Sequence, residues 1–342
     1  MSSTFVRGAS LTHFAEVAQH FGLDLRRLLA DAGLHARVLQ EPELQVPADR
    51  VSELLERAAQ QSSCESFGLR MAELRQLGTM GPVGLLIRDQ PTLRDSLNVL
   101  MRYQRLLNGA MSLVMEEAAG VVVIREELAV GQARARTRQS IELVTGITLR
   151  LLRQFLGADW QPRRVCFTHA APRDLSTHLR VFGPCVEFDH DFNGIVCARG
   201  ELDTRNPTAD PAMARYAQQL LDAQLSERQQ QGRQAPVLDD VRRTALLLLP
   251  GGRCTIETVA EHLGLVCRTL QRRLAEEGTS FSDIVTQLRV ELAERHVSGS
   301  DRPLTEVSAL LGFSAPSGFS RWYVGQFGCS PSQGRAAARP RR

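Results

Sequence analysis

Through most of the first hundred positions, apolar residues recur every three or four residues. The segments "SLTHFAEVAQHFG", "LDLRRLLADAG", "PADRVSELLERAAQQ" and "TLRDSLNVLMRYQRLLN" all carry this spacing, and the first two close on glycine. That is the pattern of amphipathic helices with glycine stops. Between Met111 and Glu127 the period falls to two: "SLVMEE", the break "AAG" and "VVVIRE" predict a strand, a tight turn and a second strand. A long helix is predicted from Gln139 to Leu156, a strand at "RRVCFTH" and a short helix at "DLSTHLRVFG". The stretch "VEFDHDFNGIVCARGEL" predicts a hairpin turning at Asn193-Gly194. The front of the chain is therefore expected to be α+β, a helical layer with a small, mostly antiparallel sheet and too few strands for a barrel.

The polar, glutamine-rich stretch "SERQQQGRQAP" breaks the pattern and reads as a linker. Its other reading is the end of the helix that begins near Pro211. Beyond it every periodic segment is helical, so the second domain is expected to be all-α. The boundaries drawn are 1–225 for the front domain, 226–236 for the linker, 237–335 for the helical domain and 336–342 for a disordered basic tail.

The helical domain contains the same device twice. "TVAEHLGLVCRTLQRRL" and "EVSALLGFSAPSGFSRWY" share a short helix, a glycine, an apolar residue, a short turn and a second helix. Gly264 matches Gly312, Leu265 matches Phe313 and Leu270 matches Phe319. Glycine permits the tight turn and the apolar residue after it plugs the angle between the helices, which makes each copy a helix-turn-helix.

The second helix of each copy has two faces. At about 100° per residue, Leu270 and Leu274 share one face with Cys267 beside them, and Arg268, Gln271 and Arg272 share the other. In the second copy Phe319, Trp322, Tyr323 and Phe327 form the core side, opposite Ser317, Ser320, Arg321 and Val324. Arginine pairs bidentately with guanine and glutamine with adenine, so the open faces suit a major groove. A helix predicted from Ser282 to His296 separates the copies, a strut of roughly 22 Å. Two recognition helices about one DNA turn, ~34 Å, apart become feasible on one chain.

Charge adds little by itself. The 342-residue chain has a net charge of +3, and every basic residue is arginine. From Val237 onward there are 14 arginines against 11 acidic residues, while the preceding region balances at 27 each, so the whole surplus lies in the helical domain. Seven scattered cysteines without a C-x-x-C pair indicate neither a disulfide framework nor a zinc site. No apolar run is long enough to span a bilayer and the N-terminus lacks a secretory core, so the expected location is the cytoplasm.

The region from Val237 to about Arg335 resembles the DNA-binding domain of AraC/XylS-type bacterial transcriptional regulators. The likeness is carried by "VAEHLGLVCRTLQRRLAEEGTSF", "LRVELAERHV" and "LTEVSALLGFSAPSGFSRWYVGQFGCSPSQ". The front region, roughly Val46 to Leu221, resembles the effector-binding domain of the helical, arabinose-binding-like subgroup, through "FGLRMAELRQLGTMGPVGLLIRDQPTL" and "LGADWQPRRVCFTHAAP". The resemblance implies base contacts from Arg268, Gln271, Arg272, Ser317, Ser320 and Arg321, and phosphate contacts from Arg273, Thr279 and Ser330. It also implies promoter DNA as a partner, a homodimer formed through the front domain, an unidentified small-molecule effector, and RNA polymerase if the protein is an activator. No enzyme activity, cofactor or metal is implied.

Some positions depart from the family pattern. Val266 and Ala315 stand where a serine N-cap is usual, and Gly334 stands where an aromatic is usual, which is expected to weaken packing of the last helix. His169, Asp189 and His190 lie near predicted strand ends and read as surface or hydrogen-bonded residues. "GTMGPVGLLI" follows no strand and lacks a P-loop lysine, which argues against a phosphate cradle. Two other functions compete with a ligand-responsive regulator. One is a regulator whose front domain only dimerises. The other is a repair enzyme with an activated cysteine, which needs a thiol in an electropositive cluster that the dispersed cysteines do not offer.

Overall fold

Val6 stands opposite Val46 where β1 (Phe5–Arg7) pairs antiparallel with β2 (Gln45–Pro47), closing the first lobe of helices. The computed structural model describes residues 4–118, 120–128, 137–230, 237–250, 252–298 and 302–338. It divides into two units, Met1–Ala235 and Pro236–Arg342.

In the first unit α1 (Phe14–His20) and α2 (Leu25–Asp31) lie between β1 and β2. Next come α3 (Ala48–Ser62), α4 (Phe67–Leu74), α5 (Pro82–Arg88) and α6 (Leu93–Leu107). Their periodicity is realised as burial: Val51, Leu54, Leu55 and Ala58 of α3 and Leu93, Leu97, Leu100 and Tyr103 of α6 all lie in one core. Thr92 starts α6 by accepting from the Asp95 amide at 3.2 Å.

β3 (Met111–Ala118) and β4 (Val121–Leu128) form the expected hairpin. α7 (Arg138–Leu156) crosses the sheet and packs on α3 and α4. β5 (Arg164–Cys166), α8 (Ser176–Phe182), β6 (Val186–Glu187) and β7 (Asn193–Ala198) complete a five-stranded sheet of order β3-β4-β7-β5-β6. α9 (Pro211–Gln230) joins this core, where the Tyr103 hydroxyl donates to Asp222 at 2.7 Å. It runs to Gln230, inside the segment assigned as linker, and residues 231–236 of that segment lie outside the described residues.

The hairpin expected at Asn193-Gly194 does not form. β6 pairs parallel with β5, and β7 begins at Asn193 between β4 and β5. Asn193 uses its side-chain oxygen to accept from the Thr168 amide at 2.8 Å. Gly194 has φ +148°, and a Cβ there would collide with the Ile124 carbonyl oxygen. The pair serves close strand approach, not a turn.

Among its described residues, every secondary-structure element of the second unit is a helix. α10 (Val237–Leu248) packs on α11 (Ile256–His262), α12 (Cys267–Glu276) and α13 (Phe281–Ser298). α14 (Leu304–Leu310), α15 (Pro316–Phe327) and α16 (Pro331–Ala338) form the second group, with α13 packed on α14 and α16. At eighteen residues α13 is about 27 Å long and is shared by both groups. α16 continues to Ala338, so residues 336–338 of the expected disordered tail are helical, and 339–342 lie outside the described residues.

Candidate nucleic-acid interface

Both turns are built alike. Leu265 donates its amide to the Ala260 carbonyl and Gly264 to Glu261; Phe313 donates to Ser308 and Gly312 to Ala309. This is the Schellman pattern, with glycine at φ +63° and +73° respectively. The matched sequences therefore make matched backbone turns.

The turns set the faces of α12 and α15. Leu270 and Leu274 are buried, while Arg268, Gln271 and Arg272 are exposed. Phe319 and Tyr323 are buried and packed with Trp322 and Phe327, whereas Ser317, Ser320 and Arg321 are exposed. Among the described residues, Arg268 and Arg321 make no hydrogen bond or ion pair. Arg272 has only a loose contact with Glu276 at 3.8 Å, between groups 71% and 64% exposed, which leaves its guanidinium available. Val266, at 73% exposure, and Val324 extend the two open faces.

Arg273 and Thr279 are half-buried at the edge of α12. Ser330 is engaged: its hydroxyl accepts from the Gln333 amide at 3.3 Å while Gln333 Oε1 accepts from the Ser330 amide, a capping box for α16. Neither α12 nor α15 has a side-chain cap at Val266 or Ala315, although Pro316 suits the first turn of α15. Gly334 differs from the expectation of a loosely packed last helix. A Cβ there would collide with the Tyr323 hydroxyl, so the absent side chain lets Tyr323 occupy that space.

Sequence reasoning missed two clusters in the front domain. His169 Nε2 and His178 Nε2 lie 3.3 and 3.0 Å from the same oxygen of buried Glu142, with Arg138 Nε at 3.1 Å. Burial lowers the pKa of His169 against the pull of Glu142. Separately, donor atoms of Cys166, Glu187 and His190 lie within 4.8 Å of one another. Burial pushes the Cys166 thiol up to about 12, which disfavours the thiolate that a metal would need. Neither cluster has a periodicity signal, because its members come from different elements. Burial also raises Cys185, Cys197 and Cys254, the opposite of an activated nucleophile. No helix among the described residues is long and apolar enough to cross a membrane.

Two helix-turn-helix groups sharing one long helix, following an α+β domain in the sequence, define a DNA-binding transcription regulator. The arabinose-binding N-terminal domain of AraC transcription regulators matches residues 22–206, and a helix-turn-helix domain matches residues 259–337. The chain belongs to this AraC-type family. It is 28% identical to the HTH-type transcriptional regulator VirS of Mycobacterium tuberculosis over 97% of both chains. It is 25% identical to the ornithine utilization regulator of Pseudomonas aeruginosa over 94% of both. The solved structure of the transcriptional regulator CdpR from Pseudomonas aeruginosa is similar over 94% of this chain and 98% of its own, at 17% identity and a TM-score of 0.45.

Proposed function

We propose that the protein reads promoter DNA through two recognition helices and that a small molecule held in its front domain controls this reading. Arg268, Gln271 and Arg272 contact bases from α12, and Ser317, Ser320 and Arg321 from α15. Arg273, Thr279 and the capped start of α16 at Ser330 fix register on flanking phosphates. The domains acting are 1–225 and 237–335, and the front domain also holds two copies together. The protein works as a binding switch without catalysis. One observation carries the reading: all six base-reading side chains are exposed on helices whose opposite faces are buried.

The test is selection of duplexes from a random library with the full chain. Enriched sites should contain two preferred segments centred about ten base pairs apart. Enrichment of a single segment, or of none, contradicts the proposal.

A further inference from the structure

The front domain has a partly open cavity of about 120 Å³ between the N-terminal turn, α3, α6 and α7. Val51, Leu55, Leu100, Leu143 and Ile147 give it a largely apolar wall. An engineered apolar cavity of about 150 Å³ admits benzene, so this one suits a body of roughly that size.

Arg75 does not match the rest of that wall. It ends α4 and is only 4% exposed. Its Nη1 donates to the Ala9 carbonyl at 2.6 Å and its Nη2 to the Ser10 carbonyl, while its buried Nε has no partner. Among the described residues no carboxylate pairs with it, and burial alone lowers its pKa to about 10, so it stays charged at neutral pH. Arg7, on the same cavity, shows the contrast: it is held by Glu43, with Nε donating to Oε2 at 3.0 Å. A buried guanidinium without a counter-ion is unfavourable, because desolvation is not repaid by an opposite charge. The neighbouring polar groups do not neutralise it: the Ser52 and Ser140 hydroxyls bond each other at 2.9 Å, and the Thr148 hydroxyl is turned to Glu126.

We propose that this cavity takes a small lipophilic carboxylic acid, its carboxylate paired with Arg75 and its apolar body against the α3 and α7 side chains. The inference rests on the reading that the front domain binds the controlling ligand, and it adds the ligand's class. An amine of the same shape is disfavoured by the charge of Arg75. A neutral analogue leaves that charge uncompensated.

The experiment is calorimetry and thermal shift on the full chain with benzoate, phenylacetate, hexanoate and octanoate, each against its corresponding alcohol. At least one acid should bind at least tenfold more tightly than its alcohol. Arg75→Met should remove that preference while alcohol binding stays, and Arg75→Lys should restore some of it. If Arg75→Met does not fold, the acid-to-alcohol ratio of the unmodified chain decides. Equal binding of acid and alcohol, or an acid preference that survives Arg75→Met, overturns the carboxylate assignment. Failure of every compound to bind overturns this assignment of the ligand's class, and the ligand reading itself stands or falls by whether other compounds change DNA affinity. An acid that binds through Arg75 yet leaves DNA affinity unchanged contradicts only its role as effector.

Discussion

The guanidinium of Arg289 lies 4.5 Å over the ring of Phe313, and its Nε donates to the Leu311 carbonyl at 3.0 Å. One side chain of the shared helix α13 thus holds the turn of the second helix-turn-helix at both its apolar plug and its backbone. Desolvation lowers the pKa of Arg289, which fits a half-buried cation over a ring.

Replacing Arg289 should loosen the second group without touching DNA. Arg289→Leu is expected to cost about 2–5 kcal/mol, the sum of a charge-assisted hydrogen bond and a partly desolvated cation–π contact. Lysine should not rescue it fully, since it lacks the planar fork. Trp322 packs on Phe313 at 5.4 Å, so its fluorescence in a Trp160→Phe background reports the change during urea unfolding. An unchanged transition would contradict this role.

The two turn glycines should differ in their response to alanine. Gly264 has open space around a would-be Cβ, so Gly264→Ala carries only the left-handed backbone penalty of about 1–2 kcal/mol. At Gly312 the Cβ would also lie 2.5 Å from the Leu249 carbonyl oxygen, bringing the total to about 3 kcal/mol or more. Chemical denaturation of the two variants should rank them in that order. The reverse order would show that the close approach of Gly312 to the Leu249 carbonyl, just past α10, does not exist in solution.

Val266 offers a stabilising change. Its side chain is 73% exposed at an uncapped helix start, so Val266→Ser sacrifices little packing. A serine cap should add about 0.5–2 kcal/mol and raise the melting temperature of the second unit. No rise would mean that α12 is already fixed at its N-terminus by other means.

The front domain should be more stable in mild acid. Burial pushes the Glu126 carboxyl up to about 7 against the Thr145 and Thr148 hydroxyls, and the Glu56 carboxyl also to about 7. Folded-state values above the unfolded one mean that the folded state holds more protons between about pH 4.5 and 7. Stability from these groups is fully present below that window and is lost as pH rises through it. Each contributes up to about 3 kcal/mol, with His169 opposing below its own ordinary value. Glu126→Gln should flatten the melting temperature between pH 5 and 8. A slope as steep as that of the unmodified chain would assign the effect elsewhere.

Helix faces were legible because a 3.6-residue period states which residues share a side, and α12 and α15 needed nothing more. The turns were legible because glycine at Gly264 and Gly312 has one cheap use there. Strand partners were not: the alternation in β6 and β7 says that they are strands, but nothing about β6 joining β5 in parallel. Asn193-Gly194 misled because glycine serves close approach as well as turns. The end of α9 and the reach of α16 were unreadable, since polar, alanine-rich segments can fray or continue. Arg75 could not be singled out among 41 basic residues, because its isolation from carboxylates exists only after residues from distant elements meet.

Base reading by α12 and α15 is decided by the affinity of the full chain for a selected site and for unrelated duplex at one salt concentration, with Arg268→Ala and Arg321→Ala each made singly. Each variant should lose roughly 1–3 kcal/mol on the selected site, relax the preference at one base position in its own segment, and change little on unrelated DNA. Equal losses on both duplexes, or no loss at all, would contradict base reading by these two faces.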